Sequence, residues 1–182
     1  YAGSMTAAGA QKVRKFVETC DTFHIPIVAL VDEPGFMIGS EAEIEGTIKF
    51  GTATVLAVAD CSVPWASIVV KKSYGVAQAA HYGNDAYVLL WPSAEMGALP
   101  LEGGVAVAFG REIEAAEDSD SKRRELEDMM AARLSPFPRA ESFSAHDIID
   151  PRETRPMLCA WIDRIRPLLP QLLGPTSFMM KP

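Results

Sequence analysis

WASIVVKKSYGVAQAA, residues 65–80, decides how this chain is read. A β-branched apolar run, residues 65–71, has the look of a strand buried on both faces. Lys71 and Lys72 close it, then come a Ser-Tyr-Gly turn and a run of small side chains. A strand that empties into a glycine turn and a helix start brings unpaired backbone N–H groups to the surface. Small residues there let a ligand oxygen come close. They also suit a tight strand–helix crossing, and the pattern by itself does not choose between the two.

Outward from this stretch the same grammar repeats. A helix is expected over residues 7–23, with Val13, Phe16, Val17, Cys20 and Phe23 at helical spacing. Residues 27–32, IVALVD, read as a buried strand, followed by a turn-rich loop EPGFMIGS. Helix resumes over 41–60, with glutamates in its first turns. DAYVLLWP, residues 85–92, gives a third strand-like run. Further helices are expected over 102–117 and within 117–134. In the second of these, Leu126, Met129, Met130 and Leu134 share a face. Residues 135–156 read as a long loop holding a short strand-like DII. A last amphipathic helix runs from residue 156 to about 173 and is kinked or ended at Pro167. The tail, 174–182, is expected to dock or fray. Strands alternating with helices indicate an α/β fold with largely parallel strands.

The 182 residues suffice for one domain with its own core. A net charge of −7 argues against a nucleic-acid partner. No apolar run reaches the length of a membrane span. Cys20, Cys61 and Cys159 are widely spaced, lie in apolar surroundings and are expected as buried thiols, which suggests a reducing, cytoplasmic setting.

Chemistry-bearing side chains are sparse. His24, His81 and His146 show no metal-ligand spacing and suit surface or satisfied core positions. Ser73 and Ser93 lack the context of a nucleophile elbow. Glu43 and Glu45 suit a solvated helix face, and Lys71 and Lys72 suit a strand end or an anion contact. The two strand-to-helix junctions, VDEPGFMIGSEAE and VVKKSYGVAQAA, remain the informative places. Gly75, Val76 and Ala77 could offer backbone donors to a developing anion.

Four stretches in order carry a resemblance: VDEPGFMIGSEAEIEGTIKFGT, VPWASIVVKKSYGVAQAA, WPSAEMGALPLEGGVAVAF and SPFPRAESFSAHDIIDPRETRPML. Together they resemble the carboxyltransferase (β) component of biotin-dependent acyl-CoA carboxylases, of the propionyl-CoA and acetyl-CoA carboxylase type. The resemblance spans about residues 1–169 and implies a crotonase-like spiral of ββα units. It further implies that residues 1–182 form a single domain, the C-terminal one of a longer two-domain protein. Active sites in that family lie across a dimer interface, with acyl-CoA held mainly by the N-terminal domain and biotin faced by the C-terminal one.

Carried onto this chain, the resemblance assigns backbone donors for the biotin ureido oxygen to Val76 and Ala77, with Gly75 forming the turn. It places Asp32, Pro34, Gly35 and Phe36 in the loop beside biotin. Glu43 and Gly46 belong to the helix behind, and Gly103–Gly104 match a Gly-Ala pair near the site. Ala79 stands where acyl-chain choice is tuned, and its small side chain implies room for a bulkier acyl group. The implied cofactor is carboxybiotin, carried on a partner protein or domain, and no metal. The implied partners are acyl-CoA, a biotin carboxyl carrier, a biotin carboxylase subunit, the N-terminal carboxyltransferase domain and further copies of the chain. Three departures stand out: Val76 where glycine is usual, alanine at residue 79, and LPLE inserted between Met96-Gly97-Ala98 and the glycine pair. Other readings are a biotin-dependent acyl-CoA decarboxylase, a non-catalytic interaction domain that kept the fold, or a crotonase-type hydratase or isomerase. The last requires a catalytic Glu soon after the turn, and none follows Gly75.

Overall fold

The computed structural model describes residues 3–174, with the Glu102 side chain excepted. The expected tail falls largely outside that range. Five strands form one all-parallel sheet: β1 (Ile27–Glu33), β2 (Trp65–Tyr74), β3 (Tyr87–Leu90), β4 (Glu95–Gly97) and β5 (Asp147–Ile148). Their order is β1-β2-β3-β5, and β4 pairs with β2. The first half of β2, Ala66–Val69, pairs with β3, while Lys72–Tyr74 pair with β4. β2 therefore splits the sheet. Its far end, which carries the glycine turn, faces a different neighbour from its core.

Burial explains why β2 lacks the polar alternation of a one-sided strand. Trp65 packs on one face, with Val17, Cys20, Val58 and Cys61, and Val69 shares that face with Val31, Leu90 and Met96. Ala66 and Ile68 pack on the other, against Trp161, Ile165, Leu89 and Ile149. The first face is covered by α1 (Ala7–Thr22) and α3 (Thr47–Ala59); the second is covered by α7 (Thr154–Ile165). The fully buried Ala10 lets α1 and α3 approach closely, and Thr54 Oγ1 on α3 donates to the Ala10 carbonyl on α1 at 2.7 Å.

Most elements match expectation, and the differences have local causes. The helix expected over 41–60 is two: α2 (Ser40–Glu45) and α3, separated by Gly46 in the left-handed region at φ 76°. The small-residue run after Gly75 is a 3₁₀ helix, Val76–His81, rather than an α-helix. Helices α4 (Leu101–Glu114) and α5 (Ser119–Leu134) form a hairpin around Val105, Ile113 and Leu126. α6 (Phe137–Glu141) lies where only loop was expected. The last helix gives way to 3₁₀ geometry at Arg166, next to Pro167, as expected. Cys20 and Cys61 are buried, but Cys159 is exposed, on the outer side of α7. Phe16 and Phe23, expected on the inward face of α1, are 56% and 69% exposed. Among the described residues, no helix is long and apolar enough to cross a membrane.

Candidate functional site

The site is built on the end of β2. Gly75 has φ 62° and ψ −156°, a region open essentially to glycine alone. Its own N–H donates to the Gly97 carbonyl at 3.0 Å, so β4 pins the turn. That removes Gly75 from the set of possible donors and leaves Val76 and Ala77. A Cβ at Gly75 would meet only the Ala98 carbonyl, at 3.6 Å, so its conformation, not crowding, demands glycine. Val76 is 70% exposed and Ala77 is fully buried, so the two are not equivalent. No acidic residue lies in this first turn to compete for its N–H groups.

The far end of the 3₁₀ helix is held as firmly. The His81 carbonyl accepts from Ser67 Oγ at 2.6 Å and from Trp65 Nε1 at 3.0 Å. The His81 ring Nε2 pairs with Glu33 Oε2 of β1. Glu33 is buried, and its other oxygen, Oε1, has no hydrogen-bond partner among the described residues. Ser73 Oγ and Tyr82 Oη lie 2.9 Å apart, one strand position from the turn. Burial pushes the Tyr82 phenol above its ordinary pKa, outweighing the opposing Ser73 hydrogen bond.

Pro34, Gly35 and Phe36 continue from Glu33. The Gly35 carbonyl accepts from the Met5 N–H at 3.0 Å, and the Met37 N–H donates to the Met5 carbonyl at 2.8 Å. The Phe36 ring covers Gly51 of α3 so closely that a Cβ there would lie 2.5 Å from it. Phe36 packs into the cluster that contains Met5, Ala10 and Ala80. Loop 34–36 and the 3₁₀ helix thus meet in one apolar cluster, to which Phe36 and Ala80 both belong. Asp32 is turned outward, and its Oδ1 accepts the Lys72 N–H at 3.1 Å where the β1–β2 register shifts. A cleft of about 300 Å³ is lined by Gln78 of the helix and by Tyr82, Met96, Arg139 and Ser144 among others. Ala79 is half-buried on the same helix.

The remaining sequence candidates separate from this cluster. Glu43 and Glu45 are exposed on α2. Ser93 Oγ donates to the Val70 carbonyl, and His146 Nδ1 accepts the Val88 N–H. Gly103, at φ 85°, and Gly104, packed against Met130, lie in α4. No group of three His, Cys, Asp or Glu among the described residues could hold a metal. Sequence reading passed over Glu33 entirely. It lies 48 positions from His81, and no local spacing signals such a pair.

Residues 1–163 match the carboxyl transferase domain family. The chain belongs to that family. It is 38% identical over 158 residues to the methylmalonyl-CoA carboxyltransferase 12S subunit of Propionibacterium freudenreichii subsp. shermanii, covering 84% of this chain and 30% of that protein. Against the carboxyltransferase subunit of propionyl-CoA carboxylase from Haloferax mediterranei, identity is 34%, over 87% of this chain and 32% of the relative. A crystal structure of transcarboxylase 12S, a hexamer with methylmalonyl-coenzyme A and methylmalonic acid bound, superposes with a TM-score of 0.84 at 32% identity. That match covers 98% of this chain and 34% of the other. The chain spans about a third of the length of these relatives. The α/β, crotonase-like expectation holds for this carboxyltransferase domain.

Proposed function

We infer that this carboxyltransferase domain supplies the biotin-facing half of an active site that moves a carboxyl group from carboxybiotin to an acyl-CoA. The observation that carries the reading is the Gly75 turn. It holds a conformation open essentially to glycine alone, is pinned by Gly97, and opens directly on Val76 with no carboxylate competing for the first N–H groups.

Carboxybiotin, when docked, supplies the carboxyl group and leaves negative charge on the ureido oxygen. The exposed Val76 N–H would hold that oxygen, with the buried Ala77 N–H one residue further in, and a preorganised donor of this kind is worth about 2.7–4 kcal/mol in acyl-transfer enzymes. Pro34, Gly35 and Phe36 would form the wall beside it, with the ring of Phe36 fixed on α3. The residues fit the group: the donors are backbone, the turn is open to approach at Val76, and no cation is needed. The Val76 side chain projects into solvent, so valine in place of glycine does not close the approach from within this chain. Ala79 would leave space for a bulky acyl group.

The acyl-CoA thioester would be held by a second, N-terminal carboxyltransferase domain, with this chain the C-terminal one, in an assembly of several copies. A biotin carboxyl carrier and a biotin carboxylase would complete the cycle. Exposed Ile38, Ile44, Ile48 and Val107 supply apolar surface for such contacts.

The test is biocytin-dependent decarboxylation of malonyl-CoA and methylmalonyl-CoA by the full polypeptide that bears this chain, with the 182-residue chain as control. Turnover by the full polypeptide alone is the expected result. A folded assembly with no turnover on any acyl-CoA would overturn the reading in favour of a non-catalytic domain.

A further inference from the structure

We propose that Glu33 and His81 are positioning residues that lock the loop 34–36 and the 3₁₀ helix 76–81 into one rigid wall of the site. This rests on the reading of that wall as biotin-facing.

A buried carboxylate is costly unless it is paired, and an apolar residue at the end of β1 would avoid that cost. Glu33 is 4% exposed, and the His81 side chain is 18% exposed. The pair meets only half of the carboxylate's demand, because Glu33 Oε1 is buried without a partner. A buried polar atom left without a partner is rare and calls for a reason beyond filling space.

Its placement gives the reason. Glu33 directly precedes Pro34. A register shift between Val31 and Glu33 sets Glu33 opposite Ser73 of β2. His81 is the last residue of the 3₁₀ helix whose first residues are Val76 and Ala77. Six residues of 3₁₀ helix do not hold their shape unaided. Here Gly97 fixes one end, while Ser67, Trp65 and Glu33 fix the other. Of these anchors, Glu33 alone belongs to the strand that leads into loop 34–36. The pair is thus the polar tie between two segments 48 positions apart, added to the apolar cluster that Phe36 and Ala80 share with Met5 and Ala10.

The experiment uses the full polypeptide with Glu33→Gln, His81→Ala, His81→Gln and the Glu33→Gln/His81→Ala double variant. Two readouts are taken: amide exchange across the domain, and steady-state transfer. In His81→Ala, exchange at residues 75–81 should rise about tenfold while α1 and α3 stay protected. kcat should fall by about 10- to 100-fold with KM for acyl-CoA within about twofold, since misplaced groups cost rate rather than remote binding. His81→Gln, whose amide can still donate to Glu33, should recover most of both. The double variant should be no worse than the His81→Ala single.

Unchanged exchange at 75–81 in His81→Ala overturns the proposal. So does acceleration spread evenly over the domain, a failure of His81→Gln to recover, or additive losses in the double variant. If the unsubstituted protein shows no biotin-dependent transfer but exchange rises locally as stated, the positioning role stands and the reading of the site as biotin-facing falls.

Discussion

The first and second strand-to-helix junctions read alike in sequence and differ in the folded chain. Both leave a buried strand through glycine. After β1 the chain wanders through residues 34–39 before α2 begins, and Glu41 and Glu43 occupy its first turn. The positive end of that short helix already has its anions. After β2 there is no such interval. Gly75 turns at once into the 3₁₀ helix, its N–H is spent on Gly97, and no carboxylate follows. One junction is electrostatically self-contained, and the other is left open to an anion from outside. A glycine after a strand therefore says little. What occupies the next turn says more.

The largest effect should come from removing a donor at the open junction. Val76→Pro deletes an N–H at the first helical position, where proline is otherwise tolerated. Biotin-dependent transfer by the full polypeptide should fall about 100-fold or more, as for loss of one oxyanion donor. Thermal stability should change little. Retained activity would break the comparison by showing that the Val76 N–H is idle.

Next come the glycines themselves. Gly75→Ala must occupy φ 62°, ψ −156°, and should destabilise the domain by about 1–3 kcal/mol in chemical denaturation. Gly46→Ala meets only the left-handed region at φ 76°, ψ 37°, which should cost nearer 1–2 kcal/mol. The two losses sharpen the contrast, because only the first should also lower transfer per folded molecule.

A thiol pair offers a milder check on the core under both junctions. Burial raises the Cys61 pKa to about 11, so at pH 8 it should resist iodoacetamide until the domain unfolds. Exposed Cys159 should react in the native state. In unfolded chains Cys61 ionises near its ordinary pKa, so this thiol's contribution to stability is present below about pH 9 and is lost as pH climbs towards 11. Prompt native labelling of Cys61 would mean that the packing of α1 and α3 on β2 opens readily.

Much of this was legible before any coordinates. The β-branched runs of β1, β2 and β3 announced buried parallel strands, and Gly75 announced the turn. What escaped was set by distance. β4 is three residues long and exists because Lys72–Tyr74 of β2 offer it a ladder. α6 nucleates on Pro136 and Pro138, which read as breakers in sequence, although proline suits a first helical turn. The split of the second helix hung on one glycine, whose φ sequence does not reveal. Nothing local in the sequence marks Glu33; the register shift between β1 and β2 lies beside it, and it pairs with His81. Phe36 lies in the turn-rich loop that the sequence signals, but its ring rests on Gly51, a contact no spacing rule connects.

The smallest effect, and the one that isolates the electrostatic half of the comparison, lies at the first junction. Glu41→Gln with Glu43→Gln removes both carboxylates from the first turn of α2, where both side chains are exposed. Each such charge is worth about 0.3–1 kcal/mol at low ionic strength, so the double variant should lose about 0.6–2 kcal/mol at most. The loss should shrink at high salt, where the Debye length drops below a helical turn. Transfer by the full polypeptide should not change, because these glutamates serve only their own helix. A tenfold fall in transfer would mean instead that α2 faces the reacting groups. The two junctions would then be parts of one anion-handling surface, and the contrast between a closed and an open helix start would no longer explain where the donors lie.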